Sequence, residues 1–199
     1  MNTSRLKSNP VDRTDVAAFI AAMRDVASSI TVVTSQGISG AHGATVSAFC
    51  SVSADPPQVL VCLNAQSRIA EIVQANGCFC VNLLTTEQQM IADRFAGRHG
   101  DRINSRFDGI DCDWTNACGP AFPGSTWFGC RLHQVIPSGS HLICIGQVER
   151  LHSGQGAPLI WLDGEYHQAL PESSFSSNGV LRPPYDNTDG FAHAIHGPL

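Results

Sequence analysis

Apolar and polar residues change period several times along the chain, and each change marks an element. Between Thr14 and Ala27, the residues Val16, Phe19, Ile20, Met23 and Val26 recur at helical spacing, and Thr14 or Asp15 can cap the first-turn N–H groups. This predicts a helix whose apolar stripe covers one mouth of a sheet. Ile30 to Ser35 and Ala41 to Val46 are rich in Thr and Val and flank Gln36-Gly37-Ile38-Ser39-Gly40, a connection of hairpin type. A third extended run, Phe49 to Ser53, is closed by Asp55-Pro56-Pro57, since proline has no N–H to offer a ladder. Gln58 to Leu63 is almost wholly apolar, the pattern of a strand buried on both faces. After Asn64-Ala65-Gln66 a helix is predicted from Ser67, with Ile69, Ile72 and Val73 inward and Gly77 as its stop.

Cys78 to Leu84 predicts a second buried strand, and Thr86-Glu87-Gln88-Gln89 has capping-box spacing at the head of a helix carrying Met90, Ile91 and Phe95. The pattern then breaks. From Gly97 to Gly124 the chain is rich in Gly, Asn and Asp, carries Arg98, Asp101, Arg102, Arg106 and Asp108, and reads as a long excursion around Trp114. Such excursions often serve as lids or oligomer contacts. Ser125 to Val135 and Leu142 to Leu151 predict two long strands joined through Ile136 to His141, and Pro158 to Leu162 with Glu165 to Gln168 predicts a short hairpin that closes the sheet. Several antiparallel strands with few helices give a mainly β fold with flanking helices, a closed or split barrel rather than a doubly wound sheet. One domain is predicted over residues 1–170. Residues 171–199, dominated by Ser, Asn, Gly and Pro, form a C-terminal tail too polar for a core, mobile or lying across another surface as a lid.

Composition narrows the function. A net charge of −5 over 199 residues leaves no basic face for nucleic acid. The first ten residues lack the apolar core of a secretory signal, and no run reaches the roughly 20 apolar residues of a membrane helix. A cytoplasmic protein without membrane attachment is expected. Of the eight cysteines, Cys50, Cys62, Cys78, Cys80 and Cys144 sit inside apolar runs, where a thiol behaves as a small hydrophobe, so reduced cysteines are predicted.

The chain has no Gly-x-x-x-x-Gly-Lys phosphate loop, no Gly-x-Gly-x-x-Gly opening a helix and no Gly-x-Ser-x-Gly elbow. Cys78, Cys80, Cys112, Cys118, Cys130 and His133 include no Cys-x-x-Cys pair, and Cys130 and His133 point to opposite faces of their strand, so no metal site is predicted. The stretch from Gly43 to Pro57 is more suggestive. Small side chains at Ala44, Ser47, Ala48 and Ser51 leave the backbone approachable to a flat ligand, although the same pattern describes a half-exposed sheet. The helix start at Ser67 is either a seat for phosphate or an ordinary serine cap. His141, alone at a strand start, is either a functional group or a half-exposed polar residue.

A set of segments decides among these alternatives. They are Phe19-Ile20-Ala21-Ala22-Met23-Arg24, Ile30-Thr31-Val32-Val33-Thr34, Gly43 to Pro57, Val59 to Asn64, Val81-Asn82-Leu83-Leu84, Arg94-Phe95-Ala96-Gly97 and Gly139-Ser140-His141. In this order and spacing the chain resembles the flavin reductase-like domain family, small reductases that supply reduced FMN or FAD to partner monooxygenases. The resemblance fades after about Tyr166. It implies an FMN-binding split barrel, hydride transfer from NADH or NADPH, a homodimer and a separate flavin-dependent monooxygenase as partner. It implies that Thr45, Val46, Ser47 and Ala48 run along the isoalloxazine and ribityl chain with Ser51 close by, and that Asn64, Ala65, Gln66, Ser67 and Arg68 reach the ribityl and phosphate groups. Where relatives read Ser-Ser-Arg-Thr-His, this chain keeps Ser67 and Arg68 but continues with Ile69 and Ala70. His141 corresponds to the His of a Gly-Asp-His turn near the nicotinamide, with Ser140 in place of the Asp, and Tyr166 is a candidate wall of the pocket. Related alternatives are a flavoprotein that keeps its FMN and acts on a dedicated small substrate, and a flavin-binding module without turnover.

Overall fold

The computed structural model of the protein describes residues 15–98 and 105–170. The assigned tail, Thr14, Asp101 and Arg102 lie outside these residues. Helix α1 (Val16–Met23) precedes strands β1 (Ser28–Ser29), β2 (Thr31–Gly37), β3 (Gly40–Val46), β4 (Phe49–Ala54) and β5 (Pro57–Asn64). Helix α2 (Arg68–Asn76) and strand β6 (Cys78–Leu83) follow, and a 3-10 turn at Thr86–Gln88 leads into α3 (Gln89–Phe95). Strands β7 (Thr126–Ser138), β8 (His141–His152), β9 (Leu159–Leu162) and β10 (Glu165–Gln168) complete the order.

Seven strands pair antiparallel in the order β3-β2-β6-β7-β8-β5-β4, and β1-β9-β10 form a second sheet. The large sheet curls so that its two edges, β3 and β4, are consecutive in the chain, and the Cys62 N–H donates to Ala48 O at 3.1 Å where they meet. The sheet is not closed, so the fold is the split form of the predicted barrel. The predicted final hairpin forms but does not close the large sheet. Instead β9 pairs with Ser28 and Ser29, because Ile30 donates to Leu159 O and Leu159 donates to Leu84 O, which draws the hairpin onto a second core.

The main core lies inside the curl, with Val33, Val61, Phe79, Val81 and Cys144 fully buried. Its mouth is covered by α2, through Ile69, Ala70 and Val73, each at most 2% exposed. Burial of Ile69 or Val73 contributes about 1.5–3 kcal/mol each. The sequence assigned that task to α1, and the structure reassigns it. In α1, Val16, Phe19, Ile20 and Met23 are 48–70% exposed. The reason lies in its composition: all eight residues of VAAFIAAM are apolar, so no polar face orients the helix, and its attachment runs through the Asp163 N–H to Arg24 O at 2.9 Å.

Three further expectations change. β5 alternates, with Val59, Val61 and Leu63 buried and Leu60 and Cys62 half-buried, because no helix among the described residues covers the outer face of β4-β5-β8. The capping box is one residue earlier than predicted, pairing the Thr85 N–H with Gln88 Oε1 at 3.0 Å, and Met90 is left exposed while Ala92 and Phe95 turn inward. The excursion is organised by Phe107 and Phe122 rather than by Trp114, which is half-exposed. Both rings pack on Phe95, at centroid distances of 5.0 and 5.4 Å. Buried Asn82 fastens the segment: its amide donates to Pro120 O and Val32 O and its Oδ1 accepts the Phe122 N–H at 3.0 Å. All eight cysteines are free thiols, as expected.

Gly146 of β8 shows how tight the main core is. A Cβ there would lie 2.5 Å from the Phe79 ring and 2.7 Å from Cys130 Cβ. Gly146→Ala is therefore expected to destabilise the protein by about 1–3 kcal/mol, read as a lower urea midpoint at unchanged m-value.

Candidate functional site

Strand alternation divides the predicted cofactor wall. Val46 turns inward and packs on the main core, whereas Thr45 lies on the outer side beneath α3, where its hydroxyl donates to Ala92 O at 2.6 Å. Ser47, Ala48 and Ser51 are exposed. Thr45 and Ser47 line a cavity of about 240 Å³ together with Ile30, Ala96, Arg98, Trp161 and Tyr166. Of the predicted site residues, the cavity therefore unites Thr45, Ser47 and Tyr166.

The β9–β10 hairpin builds the opposite wall, because its register sets Tyr166 directly across from Trp161. The two rings meet edge to face, 5.1 Å apart. The Tyr166 hydroxyl donates to Asp93 Oδ1 at 2.8 Å. Burial, and then the neighbouring Asp93 carboxylate, push the Tyr166 pKa up to about 12. The same Asp93 oxygen accepts from Arg98 at 2.9 Å, and the Arg98 guanidinium lies 5.3 Å from the Trp161 ring centroid and 5.5 Å from that of Tyr166. Sequence reasoning did not assign Asp93, Arg98 or Trp161 to the site. The available signal was the Asp163-Gly164 turn, which fixes Trp161 opposite Tyr166 once the hairpin is accepted.

A second group forms where β5 ends. Asn64 Oδ1 accepts the Gln66 N–H at 2.9 Å, Asn64 O accepts the Ser67 hydroxyl at 2.6 Å, and Ser67 Oγ caps α2 by accepting the Ala70 N–H at 3.4 Å. Ser67 is thus a cap. The N–H groups of Arg68 and Ile69, at the first two helical positions, have no acceptor inside the helix and point out of its positive end. Arg68 is paired with Glu71 at 2.7 Å on the surface. The β5–β8 register sets Asn64 opposite His141, and the Ala65 N–H donates to Ser140 O at 3.0 Å, so His141 belongs to this group and not to the cavity. His141 is exposed, with Nδ1 2.9 Å from Ser140 Oγ.

The two groups lie at either side of the β3–β4 corner, linked by the bond from Cys62 to Ala48. The cavity is smaller than the roughly 300–1,000 Å³ of a complete small-molecule site. Its aromatic wall, hydroxyls and the Arg98 guanidinium suit one planar ring system with a polar edge. The α2 start, in the second group, offers free N–H groups to an anion. A flavin, with a planar head and a phosphate at the end of a chain, fits this donor set.

Comparisons with known proteins agree. The chain is 32% identical over 158 residues to the 4-hydroxyphenylacetate 3-monooxygenase reductase component of Escherichia coli, covering 77% of this chain and 92% of that protein. It is 33% identical over 174 residues to the FMN reductase (NADH) RutF 2 of Methylorubrum extorquens, covering 87% of this chain and 99% of the relative. Among solved structures, the Streptomyces globisporus NADH:FAD oxidoreductase SgcE6, in complex with NAD and FAD fragments, superposes with a TM-score of 0.73 at 26% identity, over 83% of this chain and 99% of that one. The model of the flavin reductase like domain matches residues 23–170, and the chain belongs to that family.

Proposed function

We propose that the protein catalyses hydride transfer from NADH or NADPH to FMN or FAD and releases the reduced flavin to a separate flavin-dependent monooxygenase. The observation that carries this reading is the cavity beside Thr45 and Ser47, whose aromatic and hydroxyl lining suits a planar heterocycle. The redox chemistry is the flavin's, and the chain contributes binding, orientation and charge. Ser47 offers its hydroxyl to the ring's polar edge, and Trp161 and Tyr166 supply an apolar wall that excludes water from one side. The α2 start, with the Arg68 and Ile69 N–H groups, receives the phosphate. By the family resemblance His141, exposed beside Asn64 and outside the cavity, orients the nicotinamide. Hydride transfer itself needs no general base.

A homodimer is part of the proposal. Register places Cys50, Leu60, Ile145, Cys62, Ile143 and Ile136 on one outer face of β4-β5-β8-β7, half-buried or exposed. A contiguous apolar sheet face of this kind is the interior of an interface. A second copy covers it, and the chain works in the cytoplasm, where eight free thiols stay reduced.

Purified protein in air is expected to oxidise NADH or NADPH at a rate that rises steeply with added FMN or FAD and saturates. A yellow protein without such turnover would overturn the reading. His141→Ala is expected to slow NAD(P)H oxidation roughly tenfold or more, about 1.4 kcal/mol in the barrier, while flavin binding stays within about twofold. Unchanged turnover would remove His141 from its role. Ile145→Asp, which puts a charge on the outer sheet face, is expected to yield a monomer in analytical ultracentrifugation.

A further inference from the structure

Arg98 is the only cation lining the cavity among the described residues, and its geometry is fixed from three sides. Gly97, at φ +78°, ends α3 and turns the chain so that the Arg98 N–H reaches Asp93 O at 3.2 Å. Asp93 Oδ1 then holds the guanidinium at 2.9 Å while accepting the Tyr166 hydroxyl at 2.8 Å. The Trp161 and Tyr166 rings lie 5.3 and 5.5 Å from the Arg98 Cζ, a cation–π arrangement with both. One N–H of the guanidinium has an acceptor among the described residues, and its side chain is 50% exposed at the cavity. The remaining donors form a planar fork, the geometry that suits two acceptors side by side.

We propose that Arg98 faces the pyrimidine edge of a bound isoalloxazine, at N1 and the C2 carbonyl, and binds the reduced, anionic ring more tightly than the oxidised one. This rests on the reading that the Thr45–Ser47 wall receives the flavin. Two features favour the ring edge over a phosphate. Asp93 takes one N–H of the guanidinium, so Arg98 offers the cavity a flat pair of N–H donors, which suits two acceptors side by side on a ring edge. On the proposed reading the α2 start, outside the cavity, takes the phosphate. A donor fork already in place where negative charge collects stabilises that charge without reorganisation during transfer. Tyr166 is then a positioning residue, since it holds Asp93, which holds Arg98.

Anaerobic fluorescence titrations of full-length protein with oxidised and dithionite-reduced FMN and FAD test this, in wild type, Arg98→Gln and Arg98→Lys. Arg98→Gln is expected to weaken reduced-flavin binding about tenfold or more, with oxidised-flavin binding within about threefold. A tenfold differential loss makes the bound couple about 30 mV more negative. Arg98→Lys, which keeps the charge but not the fork, is expected to fall between. Equal weakening of both redox states, no change in either, or an effect confined to the NADH or NADPH KM would overturn the assignment. Wild-type protein that binds neither form of flavin would instead overturn the reading on which it rests.

Discussion

Strand β2 must be buried on both faces, and the rest of the molecule is arranged to do so. Thr31, Val32, Val33, Thr34 and Ser35 are all fully buried. Val33 faces the main core and Val32 the second core beneath α3. The polar members are each satisfied: Thr31 donates to Val46 O, Thr34 to Pro120 O at 2.7 Å and Ser35 to Cys78 O at 2.7 Å. Leaving one such group unpaired costs about 1–3 kcal/mol. That penalty explains why the 105–124 segment lies flat on the sheet. It approaches so closely that a Cβ on Gly119 would lie 2.7 Å from Thr34 O.

The candidate site inherits its geometry from this arrangement. Phe95 is held between Phe107 and Phe122, so α3 has a fixed seat over β2 and β3. From that seat Ala92 O receives the Thr45 hydroxyl, and Asp93 holds Arg98 at the cavity. The opposite wall arrives independently, because β9 is drawn in by its bonds with Ile30 and Leu84. Two cores therefore serve two purposes. The main core holds the strands, and the second core sets the distance between α3 and the β9–β10 hairpin across which a ring would lie.

Electrostatics at the site is local. The chain's −5 charge offers no long-range attraction for anionic nucleotides. On the proposed reading, charge recognition falls to groups at fixed positions: the α2 start, and Arg98 within its Asp93 and Tyr166 frame. Such short-range devices orient a ligand more than they attract it.

Period and turn chemistry determined most of the fold by themselves. The Thr- and Val-rich runs around the Gly-bearing turn between Ile30 and Val46, the apolar run of β6 and the Asp163-Gly164 turn each carry their structure locally, and so does the cap at Ser67. The order of motifs determined the family. What the sequence left open was the partner of each apolar surface. The α1 stripe and the all-apolar look of β5 predict burial without saying against what, and in one copy of the chain both remain partly uncovered. Thr45, Arg98 and Trp161 are 53 and 63 positions apart along the chain in succession, so no local spacing could join them. Their meeting was decided by tertiary structure alone, through the two cores that bring α3 and the final hairpin to the same edge of β3.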